Sequence, residues 1–253
     1  MYADDLPQGP ANGLRFIPIE ACKSPLIGYL LMACRVGDAL VVDPPRGAAE
    51  LILALLEEHG VRLGQVLLTH VHACDPDHGH TLEELVKLCR RSGARLVLGR
   101  GSRPLVPDAC AAIPVDDGTV LHMGGERIRV LATPGHTLAC VSYLWRDRLF
   151  CGDVFDLGAC APGDVEAEPG RLFDSLSRIV FALPGETLVF PAHTLKGRRV
   201  ALLQELRMRC AAALAGGREA FITAMLSHRG HHATGAGVTP VLPATKARTT
   251  KQV

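Results

Sequence analysis

Val66-Leu67-Leu68-Thr69-His70-Val71-His72-Ala73-Cys74-Asp75-Pro76-Asp77-His78-Gly79-His80 is an apolar run that opens into a cluster of ligand-type side chains. Side chains two apart at the end of a strand point the same way, so His70 and His72 can present their imidazoles to one point in space. That is half of a metal site. His136, Asp153 and His193 each come just after another short apolar run, so the four runs are expected to deliver their ligands at one rim of a sheet.

The chain around this cluster is 253 residues long and 48% hydrophobic, enough for a full core in one large domain or two small ones. Lys and Arg number 27 against 26 Asp and Glu, with no basic stripe and interleaved aromatics, so a nucleic acid is not an expected partner. No apolar run reaches the length of a membrane span, and Met1-Tyr2-Ala3-Asp4-Asp5 lacks the basic start and apolar core of a signal peptide. A cytoplasmic protein with no membrane partner is expected. The nine cysteines are odd in number and scattered with no Cys-x-x-Cys pair, which points away from a disulfide framework and a zinc knuckle.

Residues 1–13 read as a flexible leader, 14–228 as the folded domain and 229–253 as a disordered tail. Strands are expected at Leu14–Ile19, Gly28–Cys34, Ala39–Val42, Gln65–Thr69, Arg95–Leu98, Thr119–His122, Arg127–Ala132, Cys140–Leu144, Arg148–Cys151 and Thr187–Phe190. Helical spacing of apolar residues predicts helices over Ala48–His59, from Leu82 through Cys89, over Arg171–Phe181 and Arg198–Leu214, and near Glu219–Leu226. Residues 99–118 and 156–170 are punctuated by Gly and Pro and are expected as loops. The alternation of strands and helices predicts an α/β layered structure with helices covering sheet faces.

Imidazole and carboxylate ligands suit a borderline or hard divalent ion, whereas a thiolate-rich set would point to structural zinc or an iron–sulfur cluster. Several His plus one Asp with open positions fits either catalytic zinc or non-heme iron(II). The residues alone leave both open.

Thr69-His70-Val71-His72, Thr133-Pro134-Gly135-His136-Thr137, Cys151-Gly152-Asp153 and Phe190-Pro191-Ala192-His193 resemble, in order, the motifs of the metallo-β-lactamase superfamily. The resemblance covers residues 14 to 226 and implies an αββα four-layer sandwich with the metal site at one sheet edge. Val42-Asp43-Pro44-Pro45-Arg46, Ser92-Gly93-Ala94-Arg95 and Leu183-Pro184-Gly185-Glu186-Thr187-Leu188 are similar to the glyoxalase II and persulfide dioxygenase branch. In the dioxygenases this implies one Fe(II) held by His70, His136 and Asp153, with open positions for substrate sulfur and oxygen. His72 and His193 would then shape or assist the catalytic site. In glyoxalase II it implies two metals, zinc being the alternative here as one or two ions, and attack of a hydroxide on a glutathione thioester. Both imply a small thiol-derived substrate. A homodimer is an open option.

The chain departs from the family pattern His-x-His-x-Asp-His, because Cys74 and Asp75 stand where Asp and His are required. Inserting one residue aligns Asp75, followed by Pro76 instead of His; inserting three aligns Asp77-His78. In the first alignment the second metal site is damaged, and in the second it rests on Asp77, His78 and His193. The set His70, His136 and Asp153 is intact in both, so one metal is expected, with Asp75, Asp77 and His78 as candidates for a second metal or for supporting the ligands. The relatives also carry Gly-Cys-Gly-Arg after the Gly-Asp motif, whereas Gly158-Ala159-Cys160-Ala161-Pro162-Gly163 has no arginine. An arginine fork suits a substrate carboxylate. Cys160 and Arg171 are therefore the substrate-binding candidates, Arg171 substituting from beyond the loop. The expected activity is sulfur dioxygenation, the alternatives being thioester hydrolysis and a non-catalytic metal-binding relative.

Overall fold

The computed structural model describes residues 13–22, 24–72, 82–107, 111–155, 167–195 and 197–232. The first sheet runs in the spatial order β1 (Leu14–Ala21), β2 (Ser24–Ala33), β3 (Asp38–Val42), β4 (Arg62–Leu67), β5 (Arg95–Gly99) and β6 (Ala112–Val115). Its first three strands are antiparallel, and β3 to β6 are parallel. Parallel neighbours need a crossover, and α1 (Ala49–Glu58) and α2 (Leu82–Ser92) lie in the β3–β4 and β4–β5 connections. The second sheet contains β7 (Val120–Met123), β8 (Glu126–Ala132), β9 (Val141–Trp145), β10 (Arg148–Gly152), β11 (Leu188–Pro191) and β12 (Ala201–Leu202), ordered β12-β11-β10-β9-β8-β7. Only β10 and β11 pair in parallel within it.

The strands read as continuous apolar runs because both faces of each sheet are covered. Along β2 the side chains alternate: Leu30 and Met32 pack with Ile52, Leu56, Leu85 and Leu88 of the helices, while Tyr29 and Leu31 pack with Val130, Tyr143, Phe150 and Phe190 of the other sheet. On the far face of the second sheet, Leu149, Cys151 and Val189 bury against α3 (Pro169–Asp174), α4 (Leu203–Leu214) and α5 (Gly217–His232) through Leu172, Leu206 and Phe221. The result is the αββα sandwich expected from the motifs. Among the described residues no helix is long and apolar enough to cross a membrane.

Several expected bounds shift. Residues 99–118 hold β6, a short edge strand in which Pro114 is tolerated, and a 3-10 turn over Arg100–Leu105. The helix expected from Arg198 begins at Leu203, because Ala201 and Leu202 first pair with β11. The helix expected over Arg171–Phe181 starts at Pro169, where a missing N–H costs nothing, and widens into a π-helix over Ser175–Val180. The final helix runs to His232.

Four bonds stitch the two sheets together beneath the strand exits. Tyr143 Oη donates to Leu68 O (2.8 Å) and Val141 N to Thr69 O (2.8 Å), so the exit of β4 hangs on β9. Tyr29 Oη donates to Pro191 O (2.6 Å) and Ile27 N to Ala192 O (2.8 Å), so the exit of β11 hangs on β2. Tyr143→Phe is expected to lower stability by about 1–3 kcal/mol, since the carbonyl loses its partner in a dry environment. Urea melts test this, and a change below about 0.5 kcal/mol, the scale of neutral surface substitutions, would refute it.

Candidate metal centre

Each ligand-type side chain sits just past a strand. His70 and His72 follow β4, His136 follows β8, Asp153 follows β10 and His193 follows β11. The expectation of a single sheet rim is corrected here: β4 belongs to the first sheet and the other three to the second, so the site lies where the rims of both sheets meet.

The rings of His70, His72 and His136 form a triangle with centroids 4.8 to 5.0 Å apart, each pair close to perpendicular. One ligand nitrogen from each lies within 4.8 Å of the others. Asp153 Oδ2 is 3.4 Å from His70 Nε2 and 4.0 Å from His136 Nε2. His193 Nδ1 lies 2.9 and 3.0 Å from the two Asp153 oxygens, so one N–H is shared across the whole carboxylate. Burial alone would raise the Asp153 pKa, but the His193 bond and the charges of His70, His136 and His193 outweigh it and hold the group well below the usual carboxylate range.

This donor set suits a divalent ion. It offers imidazoles and a carboxylate, and the nearby thiol of Cys140 is kept neutral because burial pushes it up to about 12. Ligands about 2.1 Å from one ion lie about 3.4 Å apart at tetrahedral angles, so nitrogens within 4.8 Å of one another need close in only modestly to share it.

No family model matches the chain. The crystal structure of ETHE1 from Myxococcus xanthus superposes with a TM-score of 0.72 at 31% identity, covering 90% of this chain and 94% of that one. The chain belongs to the metallo-β-lactamase superfamily. A hydroxyacylglutathione hydrolase from Vibrio cholerae is 36% identical over 172 residues, 68% of this chain and 63% of the hydrolase, so the chain spans less than two thirds of that relative. The human mitochondrial persulfide dioxygenase ETHE1 is 29% identical over 182 residues, covering 71% of this chain and 68% of that protein.

Of the other candidate site residues read from the sequence, Asp75, Asp77, His78 and Cys160 lie outside the described residues. Arg171 is at the start of α3, where its Nε donates to Glu168 Oε2 at 2.7 Å with both side chains about half exposed.

The sequence reading missed the residues that hold these ligand-type side chains in place. Asp43, at the end of β3, is 1% exposed and takes both the N–H (2.8 Å) and the hydroxyl (2.7 Å) of Thr69. With Asp43 ionised, the single Thr69 hydroxyl proton goes to its carboxylate. The same Oγ1, 2.9 Å from His70 Nδ1, then accepts, which puts the ring proton on Nδ1 and turns the Nε2 lone pair toward Asp153. On the other side, the Pro134-Gly135 turn before His136 is gripped by the segment after residue 166: Ser175 Oγ donates to Pro134 O (2.7 Å) and Glu168 N to Gly135 O (2.9 Å). Asp43 was legible as an acid stranded between Val41-Val42 and Pro44-Pro45, a position that demands a buried partner. Ser175 carried no such signal.

Proposed function

We propose that this chain is a mononuclear iron-dependent sulfur dioxygenase acting on a low-molecular-weight thiol persulfide. The balanced reaction is RSSH + O2 + H2O → RSH + sulfite + two protons: the terminal sulfur is oxidised, dioxygen is reduced and the S–S bond breaks. The observation that carries this reading is the pairing of His193 with Asp153. It spends His193 Nδ1 on orienting the carboxylate rather than on a second ion, which supports the single-ion reading. The likeness to ETHE1 from Myxococcus xanthus, 31% identical over 94% of that chain, supports the same reading.

His70, His136 and Asp153 would hold Fe(II), two His and one carboxylate being the set that leaves positions open for a sulfur ligand and dioxygen. His70 and His136 are 2% and 3% exposed, so their surroundings exclude bulk water. With Asp43 ionised, Thr69 would fix the proton of His70, and His193 keeps Asp153 ionised and aimed. His72, more exposed than the other two rings, would orient the substrate sulfur beside them.

The test is oxygen uptake by anaerobically iron-loaded protein given glutathione persulfide. Uptake with sulfite release is expected, and its loss in His136→Ala. No uptake with this and other small persulfides would refute the reading. A second reading, hydrolysis of a glutathione thioester, is favoured by the 36% identity to the hydrolase. Two metals per chain and thioester turnover with zinc would select it. Tight binding of one metal with neither turnover would leave a non-catalytic relative.

A further inference from the structure

His70 and His136 face Asp153 through their Nε2 atoms, and each has its other ring nitrogen against a side chain of its own segment. For His70 that partner is Thr69. For His136 it is a sulfur: Cys140 Sγ lies 3.8 Å from Nδ1. The sulfur does not float. Thr137 N donates to it at 3.1 Å, and Thr137 Oγ1 is 3.2 Å away. The backbone of Cys140 is pinned as well, since its carbonyl takes the N–H of Thr133 at 3.0 Å. The preceding Ala139 carbonyl sits so close to Gly99 that a Cβ there would come within 2.1 Å of it.

We infer that Cys140 is a positioning residue for His136, its Sγ accepting the Nδ1–H and so fixing both the tilt of the ring and the tautomer that turns the Nε2 lone pair inward. The hydrogen-bond roles are consistent. The sulfur accepts from Thr137 N–H and from Nδ1–H, and its own S–H is left to donate to Thr137 Oγ1. A ligating imidazole usually gives its second N–H to a carboxylate, a carbonyl or water, and loss of such a partner typically lowers metal affinity about 10–100-fold. Here a thiol buried in the ligand's own loop takes that place. The inference rests on the proposed function only in taking His136 as a metal ligand.

The experiment compares the full chain with Cys140→Ala and Cys140→Ser. Nitrogen NMR of isotopically labelled, metal-free protein, at a pH above the ordinary histidine pKa of about 6.5, reports the His136 tautomer directly. The parent is expected to show Nδ1–H alone, the alanine variant a mixture, and the serine variant a partial return. Chelator competition with Fe(II) and Zn(II) is expected to give an affinity about 10–100-fold lower for the alanine variant, with serine between. A purely structural role would lower the melting temperature and leave the tautomer alone, so an unchanged tautomer in Cys140→Ala overturns the inference, as does an Nε2–H ring in the parent. If the parent takes up neither ion, the metal reading fails, and the tautomer comparison still decides the role of Cys140.

Discussion

Gly135→Ala is expected to cost about 3–6 kcal/mol, combining overpacking with a strained backbone. The residue adopts φ 141, and a Cβ on it would lie 2.4 Å from the backbone N and Cα of Leu172. Neither partner can yield cheaply. Leu172 is 2% exposed and packed in the core beneath the second sheet, while the Gly135 carbonyl is tied to Glu168 N and the Pro134 carbonyl to Ser175 Oγ. The relief open to the chain is to lift the 133–140 turn off α3, which carries His136 out of the triangle. Urea unfolding and metal content should therefore fall together, against a total stability of about 5–15 kcal/mol for an ordinary domain. A variant within about 1 kcal/mol of the parent that still fills its site would show that the close approach to Leu172 does not position His136.

The same pair of residues shows what a sequence can and cannot disclose about this site. His136 is legible through its company: a single imidazole after a strand is usually a surface or hydrogen-bonded residue, but this one recurs with His70, His72, Asp153 and His193, each just past an apolar run. The need for glycine at 135 is half legible, since the turn itself is visible, but the backbone lying against it belongs to Leu172, and nothing at position 172 announces that contact. The layers of the fold were readable for a related reason. Alternation along β2 and helical spacing in α1 are set by neighbours a few residues away, whereas the pairing of Ala201-Leu202 with β11 depends on where another strand ends. The i, i+2 spacing placed His70 and His72 together, and it could not say that β4 and β10 bring their ligands from different sheets. The supporting polar residues were least visible. Asp43 meets Thr69 across 26 positions, and only the folded chain makes an acid at 43 the keeper of an imidazole at 70.

Substitutions at Asp43 are expected to separate stability from metal affinity. Asp43→Ala strands the buried N–H of Thr69, frees its hydroxyl to turn to His70 Nδ1 and places alanine at φ 43, for about 2–5 kcal/mol in all. Asp43→Asn is milder, because asparagine tolerates the left-handed conformation and its carbonyl can still take the Thr69 N–H. Its amide group, however, donates toward Thr69 Oγ1, so the threonine hydroxyl must turn and donate to His70 Nδ1. The ring proton then moves to Nε2, and metal affinity should fall about 10–100-fold while the fold stands. A pH series on metal-free protein gives an independent check. Burial pushes the Asp43 carboxyl up to about 7, against the opposing pull of the two Thr69 bonds. Between about 4, the unfolded value, and about 7 the folded chain holds a proton that the unfolded chain has released, so the contribution is full below that window and is lost as pH rises through it. At about 1.4 kcal/mol per unit, the advantage of the parent over Asp43→Asn should shrink by up to about 4 kcal/mol across the window. A stability difference that stays flat with pH would mean that Asp43 is ionised throughout and that the relay to His70 never reverses.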